Sequence, residues 1–154
     1  MTTDAPSPQQ LARYADAFNA SETLKHFGVR VSFPDGATCE VVLDPVQPAQ
    51  RGGLGSDAVN GGVLSAMFDL VIGCTPALVD PTRRSATVQL SLNFLTAVRG
   101  DRVVARSRIT RAGGTLVFAE ASLFDAAGAL CATATGLSRL SSIPWAADGT
   151  PATN

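Results

Sequence analysis

A chain of 154 residues fits one folded domain and is short for two. Hydrophobic residues make up 45% of it and charged residues 16%, which is the composition of an ordinary globular protein. A formal net charge of −1 gives no attraction to nucleic acid or to an anionic membrane, so the sequence predicts neither as a partner.

The three cysteines, Cys39, Cys74 and Cys131, are odd in number and far apart, and none belongs to a CxxC pair. This spacing favours neither a disulfide framework nor a zinc site, so we expect three buried thiols and no metal or other cofactor. The N-terminal segment lacks the basic and then apolar pattern of a signal peptide. We therefore expect a cytoplasmic protein.

The first predicted element is a short helix that starts at Pro8, with Ser7 as its N-cap. Two short strands follow between residues 27 and 42, joined by a Pro-Asp-Gly turn, and we expect His26 at the start of the first. In the helix that starts at Pro8, the apolar residues have the spacing of one helical face, namely Leu11, Tyr14, Ala15 and Phe18.

A long apolar segment, residues 63–78, follows a loop rich in glycine and proline. Apolar residues cover most of its circumference, so it predicts a helix that is surrounded by protein. Asp69 interrupts it and Pro76 lies near its end, which makes it a poor membrane span.

The remaining sequence predicts four strands joined by short turns, three of them as an antiparallel meander. In the first of these strands the alternation places Val88, Leu90, Leu92 and Phe94 on one face and Thr87, Gln89, Ser91 and Asn93 on the other. One long helix and an antiparallel sheet predict an α+β fold in which the sheet curls around the helix.

Asp69 is the only charged residue between Val63 and Val79. An ionised carboxylate in an apolar helix costs several kcal/mol unless something compensates it. One interpretation is a core aspartate that is paired with an arginine or accepts hydrogen bonds from backbone N–H groups. The other is a catalytic carboxylate in a largely apolar pocket, where loss of solvation sharpens its reactivity.

Two glycines, Gly61 and Gly62, follow Asn60 at the start of the same helix. One interpretation is that they simply end a loop. The other is that they leave bare N–H groups at the positive end of the helix dipole, which would stabilise a substrate carbonyl oxygen that is gaining negative charge. Gly61 and Asp69 are eight residues apart, about 12 Å along a helix, so one chain cannot apply both to one substrate. A symmetric dimer could supply the second group.

The runs NGGVLSAMFDLVIGC and TVQLSLNFLTAVRGD and the final meander resemble the hotdog-fold acyl-CoA thioesterases of the phenylacetate-degradation type. The resemblance covers residues 24–140. It implies a hotdog domain at 24–142 and self-association as a dimer or tetramer. The composition outside it predicts a leader and short helix at 1–23 and a flexible tail, rich in proline, alanine and glycine, at 143–154. The implied activity is hydrolysis of an acyl- or aryl-CoA thioester.

By position, the resemblance implies three catalytic residues. The N–H of Gly61 polarises the thioester carbonyl, Asp69 of the partner subunit acts as nucleophile or general base, and Thr87 helps to hold the attacking water. Candidate substrate-binding residues are Asn60, Gly62, Gln50 and Ser65. The sequence departs from the family where Asn60 replaces a histidine, and an amide does not titrate near neutrality.

Two other functions fit the sequence. A hotdog protein could bind acyl-CoA without hydrolysing it, which Asn60 makes credible, whereas a hydratase of enoyl thioesters expects an Asp/His pair that the single His26 does not supply.

Asp57 would suit the N-cap of the long helix. A group of arginines either contacts the phosphates of coenzyme A or covers a solvated sheet face, namely Arg83, Arg84, Arg106, Arg108 and Arg111.

Overall fold

A computed structural model describes residues 5–145 of the chain, so most of the tail expected at 143–154 lies outside the described residues. Two 3-10 turns, Pro48–Gln50 and Thr75–Leu78, accompany the main elements. In chain order these are α1 (Pro8–Asn19), α2 (Glu22–Phe27), β1 (Val29–Ser32), β2 (Thr38–Leu43), α3 (Gly61–Cys74), β3 (Arg83–Phe94), β4 (Val103–Gly113), β5 (Leu116–Phe124) and β6 (Leu130–Pro144).

Helix α1 begins where the sequence predicts. The Ser7 hydroxyl accepts a hydrogen bond from the N–H of Gln10, and the Gln10 side chain accepts one from the N–H of Ser7, which completes a capping box. Leu11, Tyr14 and Ala15 are buried against the rest of the domain.

Helix α2 is absent from the sequence-based prediction, and the placement of His26 at the start of a strand is wrong. His26 lies in the last turn of α2 and is exposed. The helix is bounded by Ser21, whose hydroxyl accepts from the N–H of Leu24, and by Gly28, which has a left-handed φ of 69°. These are ordinary N-cap and C-cap residues, but only six residues separate them, too few for a visible periodicity.

The strands form one antiparallel sheet in the order β1-β2-β4-β5-β6-β3. Strands β4, β5 and β6 are consecutive neighbours, as the short turns between them predict. Strand β3 pairs only with β6 within the described chain, so β1 and β3 are the two edges of the sheet.

Helix α3 lies along the concave face of the sheet, which confirms the prediction of an antiparallel sheet curled around one long helix. Leu64, Met67, Phe68, Val71 and Ile72 are at most 4% exposed. The 18 residues Gly61–Leu78 are apolar enough to cross a bilayer, but half of them are buried inside the protein. The high hydropathy of this segment is therefore explained by its position as the central helix of the core.

Helix α3 packs closely against the sheet at Gly136 of β6. A Cβ atom there would lie 2.6 Å from Cγ2 of Ile72, below the distance that real Cβ contacts reach. The absence of a side chain therefore lets the strand approach the helix.

Candidate active site

Asn60, and not Asp57, caps helix α3. Its Oδ1 accepts a hydrogen bond of 2.8 Å from the N–H of Gly62, while Asp57 forms an ion pair with Arg99. The expectation that Asp57 caps the helix is therefore wrong, because an N-cap must directly precede the first helical residue. The structure thus gives a structural role to the amide that stands at the family's histidine position.

The N–H of Gly61 is left at the open end of the helix. Gly61 and Gly62 are both exposed, and within residues 5–145 the Gly61 N–H donates no hydrogen bond. Ser65 is turned back into its own helix, since its hydroxyl donates to the carbonyl of Gly61 at 2.7 Å. A free N–H at the positive end of a helix is a donor suited to a developing oxyanion.

A cavity of about 240 Å³ borders this helix start. Gly61 and Leu64 of α3 form one wall, and Phe94 together with the segment that follows β3 forms the other. A Cβ atom on Gly61 would lie 3.7 Å from Cζ of Phe94, so the end of β3 lies directly beside Gly61.

Asp69 lies two turns further along α3 and is exposed in the isolated chain. Within residues 5–145 no lysine, arginine or histidine nitrogen is within 4.0 Å of its carboxylate, so the alternative of a core aspartate paired with an arginine is wrong. Within one chain α3 is not enclosed all round, although the apolar segment predicts that protein surrounds it. One face of the helix, which includes Asp69, is open.

Asp69 borders a second cavity, of about 350 Å³, between α1, α3 and the first half of β3. None of the residues around this cavity borders the one at Gly61. Its lining consists of Tyr14, Phe18, Asp69, Leu70, Gly73, Cys74, Ser85, Ala86 and Thr87.

Thr87 is beside Asp69, as expected, but on a face that differs from the predicted one. Its hydroxyl donates to the main-chain carbonyl of Asp69 at 3.4 Å. The register of β3 against β6 shifts between Thr87 and Gln89, which is a β-bulge at Val88. The bulge turns Val88 outward, 54% exposed, whereas Leu90 stays half-buried on the helix side. Strict alternation, which groups Val88 with Leu90, is therefore wrong at this point.

Gln50 is held by the loop before α3. Its Nε2 donates to the carbonyl of Phe27 at 2.7 Å, and its Oε1 accepts from the N–H of Gln47 at 2.8 Å. The neighbouring Arg51 pairs with Asp101 at 2.6 Å. These bonds fix the loop, and contact between Gln50 and a substrate remains a prediction.

The arginines singled out by the sequence have different surroundings. Arg106 pairs with Glu40 and Arg108 with Glu120, so both are neutralised on the sheet surface. Arg84, in contrast, borders a cavity of about 340 Å³ that adjoins the one at Asp69. Within residues 5–145 no cluster of three or more histidine, cysteine, aspartate or glutamate side chains could hold a metal ion.

Tyr14 is the residue of this region that the sequence did not single out. It is 8% exposed, and burial, followed by the nearby Cys74, raises the pKa of its hydroxyl well above 10.0. The sequence placed Tyr14 and Phe18 on the packed face of α1, but their spacing four residues apart gives no sign that this face also closes the Asp69 cavity.

The sequence profile of the Thioesterase superfamily matches residues 57–137, more than half of the chain, and includes both cavity-lining halves of α3. In Thermoplasma acidophilum, Ta0293, named as a candidate esterase, is 24% identical over 113 residues, which are 73% of this chain and 83% of the relative.

Two solved structures have the same fold. The thioesterase HI1161 of Haemophilus influenzae superposes with a TM-score of 0.73 at 16% identity, covering 85% of this chain and 90% of its own. The PaaI protein of the Escherichia coli phenylacetic acid degradation operon superposes with a TM-score of 0.74 at 15% identity, covering 87% and 95%. With a sheet curled around α3 and a profile match over most of the folded sequence, this chain belongs to the thioesterase superfamily and is a hotdog-fold hydrolase.

Proposed function

We propose that the protein hydrolyses an acyl- or aryl-CoA thioester to the free acid and coenzyme A, at sites formed between two copies of the chain. Each site combines Gly61 of one copy with Asp69 and Thr87 of the other. The observation that carries this proposal is the separation of Gly61 and Asp69 into two cavities at opposite ends of β3.

The free edge of β3 supports the association. The strand has 12 residues and, within the described chain, no partner on its outer side. Val88, Phe94 and Leu95 on or next to it are between 54% and 57% exposed. A long edge strand with exposed apolar side chains is a template for pairing with another strand.

The symmetry of such a pair supports the combination of residues. Thr87 lies near Asp69 and Phe94 lies near Gly61, so the two ends of β3 mark the two halves of a site. If two copies pair antiparallel through β3 about a two-fold axis midway between Thr87 and Phe94, each Thr87 faces the Phe94 of the second copy. This pairing brings Asp69 of one chain close to Gly61 of the other at two equivalent sites in the dimer.

The reaction uses these groups as follows. The Gly61 N–H donates to the thioester oxygen while charge develops on it. In one route the Asp69 carboxylate takes a proton from a water that attacks the carbonyl carbon, and Thr87 positions that water. In the other, the carboxylate itself attacks and forms a mixed anhydride, which a water positioned by Thr87 then hydrolyses to release the acid and regenerate Asp69. The bond from carbon to sulfur breaks, and coenzyme A leaves as a thiolate that water protonates. No metal or redox cofactor takes part, and the proposed compartment is the cytoplasm.

Complementation between inactive variants tests the shared site. Asp69→Asn removes the carboxylate. Gly61→Val places a branched side chain over the free N–H, and the first position of a helix tolerates valine. Each variant alone is expected to lose at least about a hundredfold in thiol release. Mixed dimers of the two carry one intact and one doubly altered site, so an equilibrated equal mixture should regain about a quarter of wild-type activity.

The readout is release of coenzyme A, followed with a chromogenic thiol reagent, together with the mass of the species by light scattering. Asp69→Asn should keep the wild-type mass and fold. A mixture as inactive as its components, with exchange of subunits demonstrated, would contradict a site shared between chains. Turnover by Asp69→Asn at the wild-type rate would remove the carboxylate from the mechanism.

The role of Asn60 favours one rival function. Because the amide cannot deliver a proton, a hotdog protein of this kind could retain acyl-CoA as a sensor or carrier. Binding of an acyl-CoA panel with no thiol release over hours would establish this rival. The panel should span short, medium, long and aromatic esters, which also identifies the preferred acyl group.

A further inference from the structure

Two cavities adjoin beside the first half of β3. One, of about 350 Å³, includes Asp69 and Thr87 in its wall. The other, of about 340 Å³, includes Arg84 and Trp145. The residues that line both are Tyr14, Phe18 and Ser85. These three residues form a wall common to both cavities, so a ligand that lies along Tyr14 and Phe18 would extend from the Asp69 cavity to Arg84.

The wall common to both cavities includes aromatic rings. Tyr14 stacks on Phe18 with ring centroids 5.9 Å apart, and Trp145 meets Tyr14 edge-on at 5.8 Å. Trp145 is itself fixed, because its indole N–H donates to the carbonyl of Pro81 at 2.8 Å. Such a wall suits the apolar middle of an acyl group and excludes a polar one.

Arg84 places a positive charge at the far end of this path. It lies three positions before Thr87 in β3, about 10 Å at the rise of a strand. Within residues 5–145 no carboxylate is within 4.0 Å of its guanidinium. The neighbouring Arg83 differs, since its Nε donates to the carbonyl of Ser141. Of these two arginines, only Arg84 borders a cavity that adjoins the Asp69 site.

The charge of Arg84 defines what the far end of the path can bind. A guanidinium donates paired hydrogen bonds to a carboxylate, so Arg84 at the end of an apolar passage is complementary to an anionic group of that kind.

We propose that the preferred substrate is the coenzyme A monoester of a dicarboxylic acid, whose free carboxylate is bound by Arg84. This inference rests on the proposed thioesterase function and names its substrate class. The thioester lies at Asp69, the methylene chain passes Tyr14 and Phe18, and the distal carboxylate reaches the guanidinium. Only the thioester bond is broken, so the products are the dicarboxylic acid and coenzyme A.

A matched pair of substrates tests the class. Adipoyl-CoA and hexanoyl-CoA have the same chain length and differ in the distal carboxylate. The wild-type protein is expected to favour adipoyl-CoA about tenfold in kcat/KM, the size of one charge-assisted contact at a partly solvated site. Arg84→Gln should abolish that preference by lowering the value for adipoyl-CoA and leave hexanoyl-CoA unchanged.

Arg30→Gln is the matched control. Arg30 is exposed on β1, at the opposite edge of the sheet, and its replacement removes the same charge. It should leave both substrates unaffected. Equal use of the two esters by the wild type, or an equal loss with both in Arg84→Gln, would overturn the proposal.

Binding measured by calorimetry separates this proposal from the proposed function. If hexanoyl-CoA is hydrolysed without a preference for adipoyl-CoA, the dicarboxylate inference fails and the thioesterase stands. If neither these two esters nor the short, medium, long and aromatic esters of the wider panel are hydrolysed, the thioesterase fails. A tenfold tighter Kd for adipoyl-CoA that disappears in Arg84→Gln would then support Arg84 as an anion subsite of a binding protein, and equal Kd values would overturn that role as well.

Discussion

The hydroxyl of Thr87 donates a hydrogen bond to the main-chain carbonyl of Asp69 at 3.4 Å, which joins the edge strand to the central helix at the candidate active site. The bulge at Val88 makes this contact compatible with the rest of the strand. Before it, Ser85 and Thr87 turn hydroxyls towards α3, where Ser85 donates to the carbonyl of Gly73 at 2.6 Å. After it, leucines occupy the same side. The bulge thus allows polar contacts near Asp69 without removing apolar ones further along.

Loss of the Thr87 hydroxyl should slow turnover. Thr87→Val keeps the shape of the side chain but cannot orient a water, and we expect kcat to fall roughly 10- to 100-fold, the worth of a hydrogen bond to a charged or reacting group. Thr87→Ser should retain most activity. Thr135→Val, on the exposed side of β6, is the control and should behave as wild type. Unchanged kcat in Thr87→Val would show that the hydroxyl serves only the fold.

The sequence predicts α1, α3 and the meander because their signals are local. Caps, apolar periodicity and glycine turns act over a few residues, and Gly100, Gly114 and Gly128 do adopt positive φ values in the loops. The bulge at Val88 is different. It depends on how β3 registers against β6, some 50 residues later, and no residue type near Val88 announces it.

The exposure of Asp69 is also outside the reach of a single sequence. The apolar segment around it predicts enclosure, yet the chain leaves one face of α3 open beside the unpaired edge of β3. An apolar helix face that one copy does not cover is a feature of association, and sequence patterns do not distinguish burial within a chain from burial between chains.

Asn60 is expected to have separable effects on stability and binding. Asn60→Ala removes the cap from α3 and should lower the free energy of unfolding by about 1 kcal/mol. Asn60→Ser keeps a capping oxygen but loses the amide donor, so stability should hold while KM rises about three- to tenfold if the amide contacts the substrate. Urea unfolding and steady-state kinetics measure the two effects. An unchanged KM in a stable Asn60→Ser would leave Asn60 as a cap alone.

Gly136 should tolerate no side chain. An alanine Cβ would lie 2.6 Å from Cγ2 of Ile72 and 3.1 Å from the carbonyl oxygen of Gln89, so Gly136→Ala should cost about 1–3 kcal/mol through displacement of α3 from the sheet. Gly113→Ala is the control, because nothing lies within 4 Å of its added Cβ. Unfolding in urea at one fixed protomer concentration compares them. Equal stability of the two variants would contradict the close approach.

The three thiols should be silent in the native protein. Cys39, Cys74 and Cys131 are at most 1% exposed, and burial raises the pKa of Cys39 and of Cys131, which lowers their thiolate fraction. A chromogenic thiol reagent at pH 8 should therefore label none of them within minutes and all three in urea. Rapid labelling without denaturant would contradict this burial. If the protein's own thiols do not react with the reagent, the colour that develops in the thioesterase assay comes from released coenzyme A.

Stability should decline in alkaline solution. Cys39 and Tyr14 have ordinary pKa values of 9.0 and 10.0, and burial raises both well above them in the folded chain. Below pH 9 the folded and unfolded states both keep these protons, so this contribution is fully present. Above it the unfolded chain releases protons that the folded chain holds, and the free energy of unfolding falls by up to about 1.4 kcal/mol per pH unit for each group.

Urea unfolding between about pH 8 and pH 11 measures this decline. Tyr14→Phe and Cys39→Ala each remove one titrating group and should flatten the curve, although Cys39→Ala also removes buried volume and lowers stability at every pH. The slope, and not the absolute stability, is therefore the diagnostic quantity. Wild-type stability that is constant or rises over this range would show that neither group is held protonated by the fold.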